Sequence, residues 1–210
     1  MKYGDTLKIQ LPQRESGDLY SLESAIAQRE SKREYLDTPL SLENLSKLLF
    51  AAQGMRGSGT KRVSPSAQEQ YPISTYLVSN RVTEIDPGIY QYENTNHAIN
   101  EIAKGNFSTP LENAALGEQP WVRNAAAIII FVSNIQLMNK HFADQPPLNT
   151  RGERYSYIEV GAIVQNMQLQ GTALDIGMVL VGGFNNKEVQ GILQLPKMLD
   201  PSALVCVGNV

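Results

Sequence analysis

Arg29-Glu30-Ser31-Lys32-Arg33 places two guanidiniums and a hydroxyl within five residues. A guanidinium fork matches two phosphate oxygens at once, and a serine hydroxyl adds another donor. In an extended chain residues 29, 31 and 33 point to one side, which makes a compact anion site. The same residues also read as a solvated charge cluster with Glu30 and Glu34 as partners. A second grouping is Ser64-Pro65-Ser66-Ala67, followed by Tyr71-Pro72. Small residues around a fixed bend let backbone amides approach a flat ligand, although alone they make only a turn. The third is Leu180-Val181-Gly182-Gly183-Phe184. Paired glycines lack Cβ atoms, so their N–H groups can reach a ring edge or a phosphate; they also suit a sharp turn needing positive φ.

Other chemistries find little material. No G-x-G-x-x-G occurs, and Gly57-Ser58-Gly59-Thr60-Lys61-Arg62 lacks the P-loop spacing. The two histidines, His97 and His141, are far apart and are expected to cap turns or face solvent. Cys206 is the only cysteine and is expected in the core, which excludes a disulfide framework and a cysteine-rich metal site. No metal site is expected. Difficult chemistry on this chain therefore needs an organic cofactor. Trp121 and the tyrosines read as core or as walls of a flat slot.

The elements that must position these groups follow from periodicity and punctuation. Residues 1–20 show no sustained pattern and read as an N-terminal arm; residues 21–210 read as one domain. A first helix is predicted from Ser21 toward Gln28, with Leu22, Ala25 and Ile26 on one face. Ser41 caps a second, with Leu45, Leu48, Leu49 and Ala52 inward and Gly54 as its stop. Residues 54–67 form a loop of functional length. Ile73–Val78 and Ile89–Tyr92 pair as strands, and a short helix is expected at Asn96–Lys104. Ala125–Ser133 is a buried strand. A long helix over Tyr155–Leu174 carries the stripe Ile158, Ala162, Gln165, Leu169 and Ala173. Strands at Met178–Val181 and Ala203–Val207 flank a helix near Lys187–Leu193. Strands and helices so mixed give an α+β or α/β layered domain.

Composition sets the bounds. The chain has 210 residues, 42% hydrophobic and 19% charged, with a formal charge of -3. That is an ordinary globular balance with no basic footprint for nucleic acid. No apolar run approaches a membrane span, and the first residues lack a signal-like apolar region, so a cytoplasmic location is expected.

Taken in order, the motifs resemble a known family. Arg29-x-Ser31-x-Arg33-x-Tyr35 comes first, then Pro39-Leu40-Ser41 before a helix ending Leu48-Leu49-Phe50-Ala51-Ala52-Gln53-Gly54. Arg62-x-Ser64-Pro65-Ser66-Ala67 with Tyr71-Pro72 follows, then Gly88-x-Tyr90-x-Tyr92 with His97. Arg154-Tyr155, Glu159-x-Gly161-x-x-x-Gln165-Asn166, Gly182-Gly183-Phe184 and Val207-Gly208 complete it. This succession resembles the nitroreductase superfamily, in its SagB/thiazole-oxidase-type branch, over residues 21–210.

The resemblance implies an α+β fold with a central antiparallel or mixed sheet flanked by helices, in a segment-exchanged homodimer with FMN at its interface. It implies that Arg29, Glu30, Ser31 and Arg33 surround the FMN phosphate. Pro65, Ser66 and Ala67 would wrap the flavin from the partner chain, with Gln165 contributing from the long helix. Gly182 and Gly183 would bring backbone donors to N5. The implied activity is hydride transfer from NAD(P)H to FMN, and from there to a nitroaromatic, a quinone or another small electrophile. Two rivals stand beside it: a flavin-dependent dehydrogenase using oxygen as acceptor, and a flavin-binding protein that admits no substrate. The chain has Ala162 where the family often has histidine. It also lacks a basic residue after the last strand, which leaves the phosphate site weaker or completed by Lys61 or Arg62.

Overall fold

The computed structural model describes residues 7–13, 20–57 and 59–210. One sheet of seven strands organises them, in the order β1-β4-β3-β2-β5-β7-β6. The strands are β1 (Lys8–Gln10), β2 (Ile73–Ser79), β3 (Gly88–Glu93), β4 (Ala98–Lys104), β5 (Ala127–Ser133), β6 (Ile176–Val181) and β7 (Asp200–Asn209). Every neighbouring pair is antiparallel. The helices are α1 (Leu22–Gln28), α2 (Leu42–Gln53), α3 (Ser108–Ala114), α4 (Pro120–Asn124), α5 (Ile135–His141), α6 (Arg151–Ala173) and α7 (Asn186–Ile192). The fold is α+β, as the resemblance implies.

Both sheet faces are covered. β5 is buried throughout, and its side chains alternate between two cores, as a pleated strand requires. Ala127, Ile129 and Phe131 join Leu45, Leu48 and Leu49 of α2 and Ile163, Val164 and Met167 of α6. Ile128, Ile130 and Val132 join Leu111, Val122 and Val189 of α3, α4 and α7. Cys206 lies in the second cluster, and burial pushes its thiol up to about 12. Among the described residues no helix is long and apolar enough to cross a membrane.

The caps predicted for α1 and α2 are present. Ser21 and Ser41 accept from Ser24 and Asn44 at the helix starts, and Gly54 ends α2. Four expectations change. The predicted helix at Asn96–Lys104 is strand β4, which pairs with β1 on one side and β3 on the other. On α1 only Ala25 is buried, while Leu22 and Ile26 are each 59% exposed. On α6 the buried stripe is Ser156, Glu159, Val160, Ile163, Val164, Met167, Gln168 and Gly171. In the stripe named from the sequence Ile158, at 62%, and Gln165 are exposed, and Ala162, Leu169 and Ala173 are half-buried. Finally, α3, α4 and α5 are helices that the sequence pattern does not predict.

Within the segment read as an arm, residues 8–10 add strand β1 and Leu11 is buried; residues 1–6 and 14–19 of that arm, and Ser58 of the loop, lie outside the described residues. His97 pins this stretch. Ser46 Oγ donates to Pro12 O at 2.7 Å, so His97 Nε2–H, 2.8 Å away, donates to Ser46. Nδ1 then accepts from the Tyr92 hydroxyl at 2.7 Å. Burial lowers the pKa of this imidazole, which suits the neutral tautomer. His97 is thus a bridging group, not one facing solvent.

Candidate functional site

β6 is an edge strand, and its free edge carries the first motif. Lys32 N–H donates to Met178 O at 2.9 Å, and Leu36 N–H to Asn209 O at 2.9 Å. The segment between lies tight against the sheet end: a Cβ at Gly208 would stand 2.8 Å from the Tyr35 ring, and one at Gly177 would meet Val210 and Lys32. Tyr35 is tied down through its hydroxyl, which donates to the carbonyls of Lys32 at 3.0 Å and Cys206 at 3.3 Å.

Arg29 is half-buried; Ser31 and Arg33 are exposed. Glu30 pairs with Lys32 at 2.6 Å, and this pairing lowers its pKa. The Glu30–Lys32 pair is an exposed one, as the charge-cluster reading has it, while Arg29 and Arg33 have no ion-pair partner among the described residues.

Ladder alternation connects this motif to the glycines. Because Met178 O faces Lys32, the main chain of Met178 points away from β7; in an antiparallel strand every second residue does the same. Leu180 and Gly182 are therefore turned toward the open edge. Among the described residues no acceptor takes the Gly182 or Gly183 N–H. Gly182 is exposed, has open space where a Cβ would stand, and is not at positive φ; nor is Gly183. The fold does not need glycine here for φ, contrary to the turn reading. The Gly183 carbonyl is fixed from the other side, accepting Leu116 N–H at 2.8 Å and Gln119 Nε2 at 2.9 Å. Beside it, a cleft of about 410 Å³ opens between α3 and α4, lined by Glu112, Asn113, Glu118 and Gln119.

The second motif sits in a polar cluster at the far end of the sheet. Ser64 Oγ donates to Ala52 O at 2.6 Å and accepts from Asn166 Nδ2 at 3.1 Å. Ser66 Oγ accepts from Tyr71 N–H at 2.7 Å, and Ala67 N–H donates to Glu159 Oε1 at 2.8 Å. Arg62 stacks over Tyr71 at 4.8 Å and donates to Gln53 and to Ile73 O. Three residues here have left-handed backbones: Gln68 (φ 49), Glu69 (φ 58) and Tyr71 (φ 48). Such conformations cost non-glycine residues about 1–2 kcal/mol each, offset here by this network and by the His141–Gln68 hydrogen bond at 2.8 Å.

Within one chain the second motif does not reach the Arg29–Arg33 group. Met178 aligns across the sheet with Val207, Ala127 and Ser79. Ile73, beside the 62–71 cluster, is at the opposite end of β2, about 20 Å of extended chain away. Lys61 pairs with Glu69 at 2.7 Å, and Arg62 is held in its own loop, so neither completes the Arg29–Arg33 group in the same chain. Gln165 is exposed on α6. The contacts of two participants escape sequence reasoning. Glu159 stands in a sequence motif and Trp121 among the aromatics, but their contacts, to Ala67 N–H and to the Arg33 guanidinium, are with residues far away in sequence that no local pattern marks.

A model described as "Nitroreductase family" matches residues 26–209, from just before Arg29 to the end of β7. The chain belongs to the nitroreductase family. As a member of that family it is an oxidoreductase. It is 35% identical over 206 residues to "Putative nitroreductase MJ1384" of Methanocaldococcus jannaschii, covering 98% of each chain. The crystal structure of a "putative nitroreductase" from Ralstonia eutropha JMP134 superposes with a TM-score of 0.81 at 25% identity, over 97% of this chain and 89% of the other. A chain of the E. coli Microcin synthetase McbBCD complex has a TM-score of 0.70 at 19% identity, over 95% and 76% respectively. That likeness is one of fold.

Proposed function

We propose that this chain binds FMN along the open edge of β6 and works as an NAD(P)H oxidoreductase. One observation carries the reading: Arg29–Arg33 is hydrogen-bonded to the same strand edge that ends at Gly182, about 13 Å of extended strand from Met178. Two guanidiniums without carboxylate partners fit a phosphate. An unclaimed N–H beside open space fits the edge of a flat ring. Arg29, Ser31 and Arg33 would hold the phosphate, with Glu30 fixing Lys32 between them, and Gly182 would offer the donor at N5. Bound FMN would supply the hydride chemistry, between NADH or NADPH and a small electrophile such as a nitroaromatic or a quinone.

We further propose that two copies complete each site, so that Pro65, Ser66 and Ala67 reach the flavin from the partner. The separation of the two motifs within one chain supports this. So does the outward face of α6, where Tyr157 is 46% and Ile158 62% exposed and Gln165 lies nearby. The motif order supports the SagB/thiazole-oxidase branch, and a cytoplasmic setting belongs to the same proposal.

The test is direct. The purified protein should be yellow, should release FMN on denaturation, and should oxidise NADH or NADPH with a nitroaromatic or quinone. Flavin without NAD(P)H turnover but with oxygen-dependent dehydrogenation would reverse the direction. Flavin with neither activity would make it a binding protein, and failure to bind FMN would end the proposal.

A further inference from the structure

Trp121, the chain's only tryptophan, lies beneath Arg33, whose Cζ stands 5.3 Å from the ring centroid. The ring packs against the second core cluster, and its indole N–H is buried without an acceptor among the described residues. α4 is itself anchored to the end of β6, through Gln119 and the Gly183 carbonyl. Neighbouring cations are held differently: Lys32 pairs with Glu30 at 2.6 Å and Arg123 with Glu112 at 3.3 Å. A carboxylate that holds a guanidinium also neutralises it. An aromatic face holds it through the ring quadrupole, and leaves both the charge and the rim of N–H donors available.

We propose that Trp121 is a positioning residue that presents Arg33, still charged, to the FMN phosphate. This rests on the proposed assignment of Arg29, Ser31 and Arg33 to that phosphate. Its consequence is selective. Trp121 contributes to binding of a phosphorylated flavin and not to binding of the ring itself.

The experiment titrates FMN and riboflavin, which has the same ring and no phosphate, into flavin-depleted protein while flavin fluorescence is followed. The proteins are parental, R33A, W121F, W121L and the W121L/R33A pair. R33A should weaken FMN binding about ten- to a hundredfold and leave riboflavin unchanged. W121L should weaken FMN about two- to fivefold with riboflavin unchanged, W121F should fall between W121L and parental, and W121L should add nothing in the R33A background. A parental FMN-to-riboflavin ratio in W121L, or an undiminished effect in R33A, would overturn the role of Trp121 while the phosphate assignment stands. An R33A protein with parental FMN affinity would instead remove the assignment. Tryptophan emission gives a readout that needs no tryptophan variant. Inorganic phosphate should change it in the parental protein and not in R33A, and no response in the parental protein would also overturn the proposal.

Discussion

Glu159 on α6 accepts the backbone N–H of Ala67 at 2.8 Å, tying the loop after α2 to the long helix. The residue is 5% exposed, and burial raises its pKa more than Ala67, Ser66 and Arg62 lower it. A raised folded value means that the folded state binds this proton more tightly than the unfolded chain. The contribution to stability is therefore full below the unfolded range and lost as pH rises through the folded value. Glu159→Gln, which keeps an acceptor, should flatten that dependence as pH rises from the ordinary glutamate range, about pH 4, upward. Glu159→Ala should cost about 1–3 kcal/mol by stranding the Ala67 N–H. Urea unfolding across this pH range reads both; parallel curves for parental and Gln proteins would refute the assignment.

The Arg29→Ala, Arg33→Ala double variant is expected to lose FMN affinity, each charge-assisted contact contributing about 1.5–3 kcal/mol. Ser31→Ala should cost less, about 0.5–1.5 kcal/mol, as a neutral hydroxyl donor. Equilibrium titration with FMN measures the loss, and unchanged affinity in the double variant would sink the phosphate site.

Gly182 allows a sharper separation of fold from function. Open space and the lack of positive φ mean that Gly182→Ala should leave the stability of the flavin-free chain within about 0.5 kcal/mol. The same change should reduce flavin binding or slow turnover, and Gly183→Val should do so more strongly. Parental occupancy and rate in both variants would leave the glycines a structural turn only.

The proposed dimer predicts that an Ile158→Arg change, at a 62% exposed position on α6, yields a monomer with little flavin. Obligate interfaces usually bury more than about 2,000 Å², and a charge in such a contact is expensive to desolvate. Sedimentation of both proteins decides this; a parental monomer that retains flavin would contradict it.

Where local chemistry governs, the sequence was readable. Ser41 and Gly54 bound α2 because caps act within a few residues. The Arg29–Arg33 group and Gly182-Gly183 were also visible, as donor-rich or Cβ-free positions. Residues 98–104 misled because Ala98, Ile99, Ile102 and Ala103 have near-helical spacing. Strand partners on both sides, Lys8–Gln10 and Gly88–Glu93, override that pattern. The buried face of α6 was hidden for a related reason. It carries Ser156, Glu159 and Gln168, and polar residues can be buried there only because the fold supplies partners such as Ala67. Likewise, nothing local to Arg33 signals Trp121.

The order of strands also has a consequence for how the molecule is made. β7 lies between β5 and β6, so β6 has no hydrogen-bonded link to the sheet until residues 200–209 have been synthesised. Arg29–Arg33 leave the ribosome early, yet the strand edge they dock on takes its place last, through contacts of long sequence separation that close slowly. A chain halted at Leu199 should therefore protect β2 and β5 from proteolysis while the segment around Lys32 is still cut. The proposed flavin edge would then be a late-maturing surface, formed only once residues 200–209 are available to pair with β6.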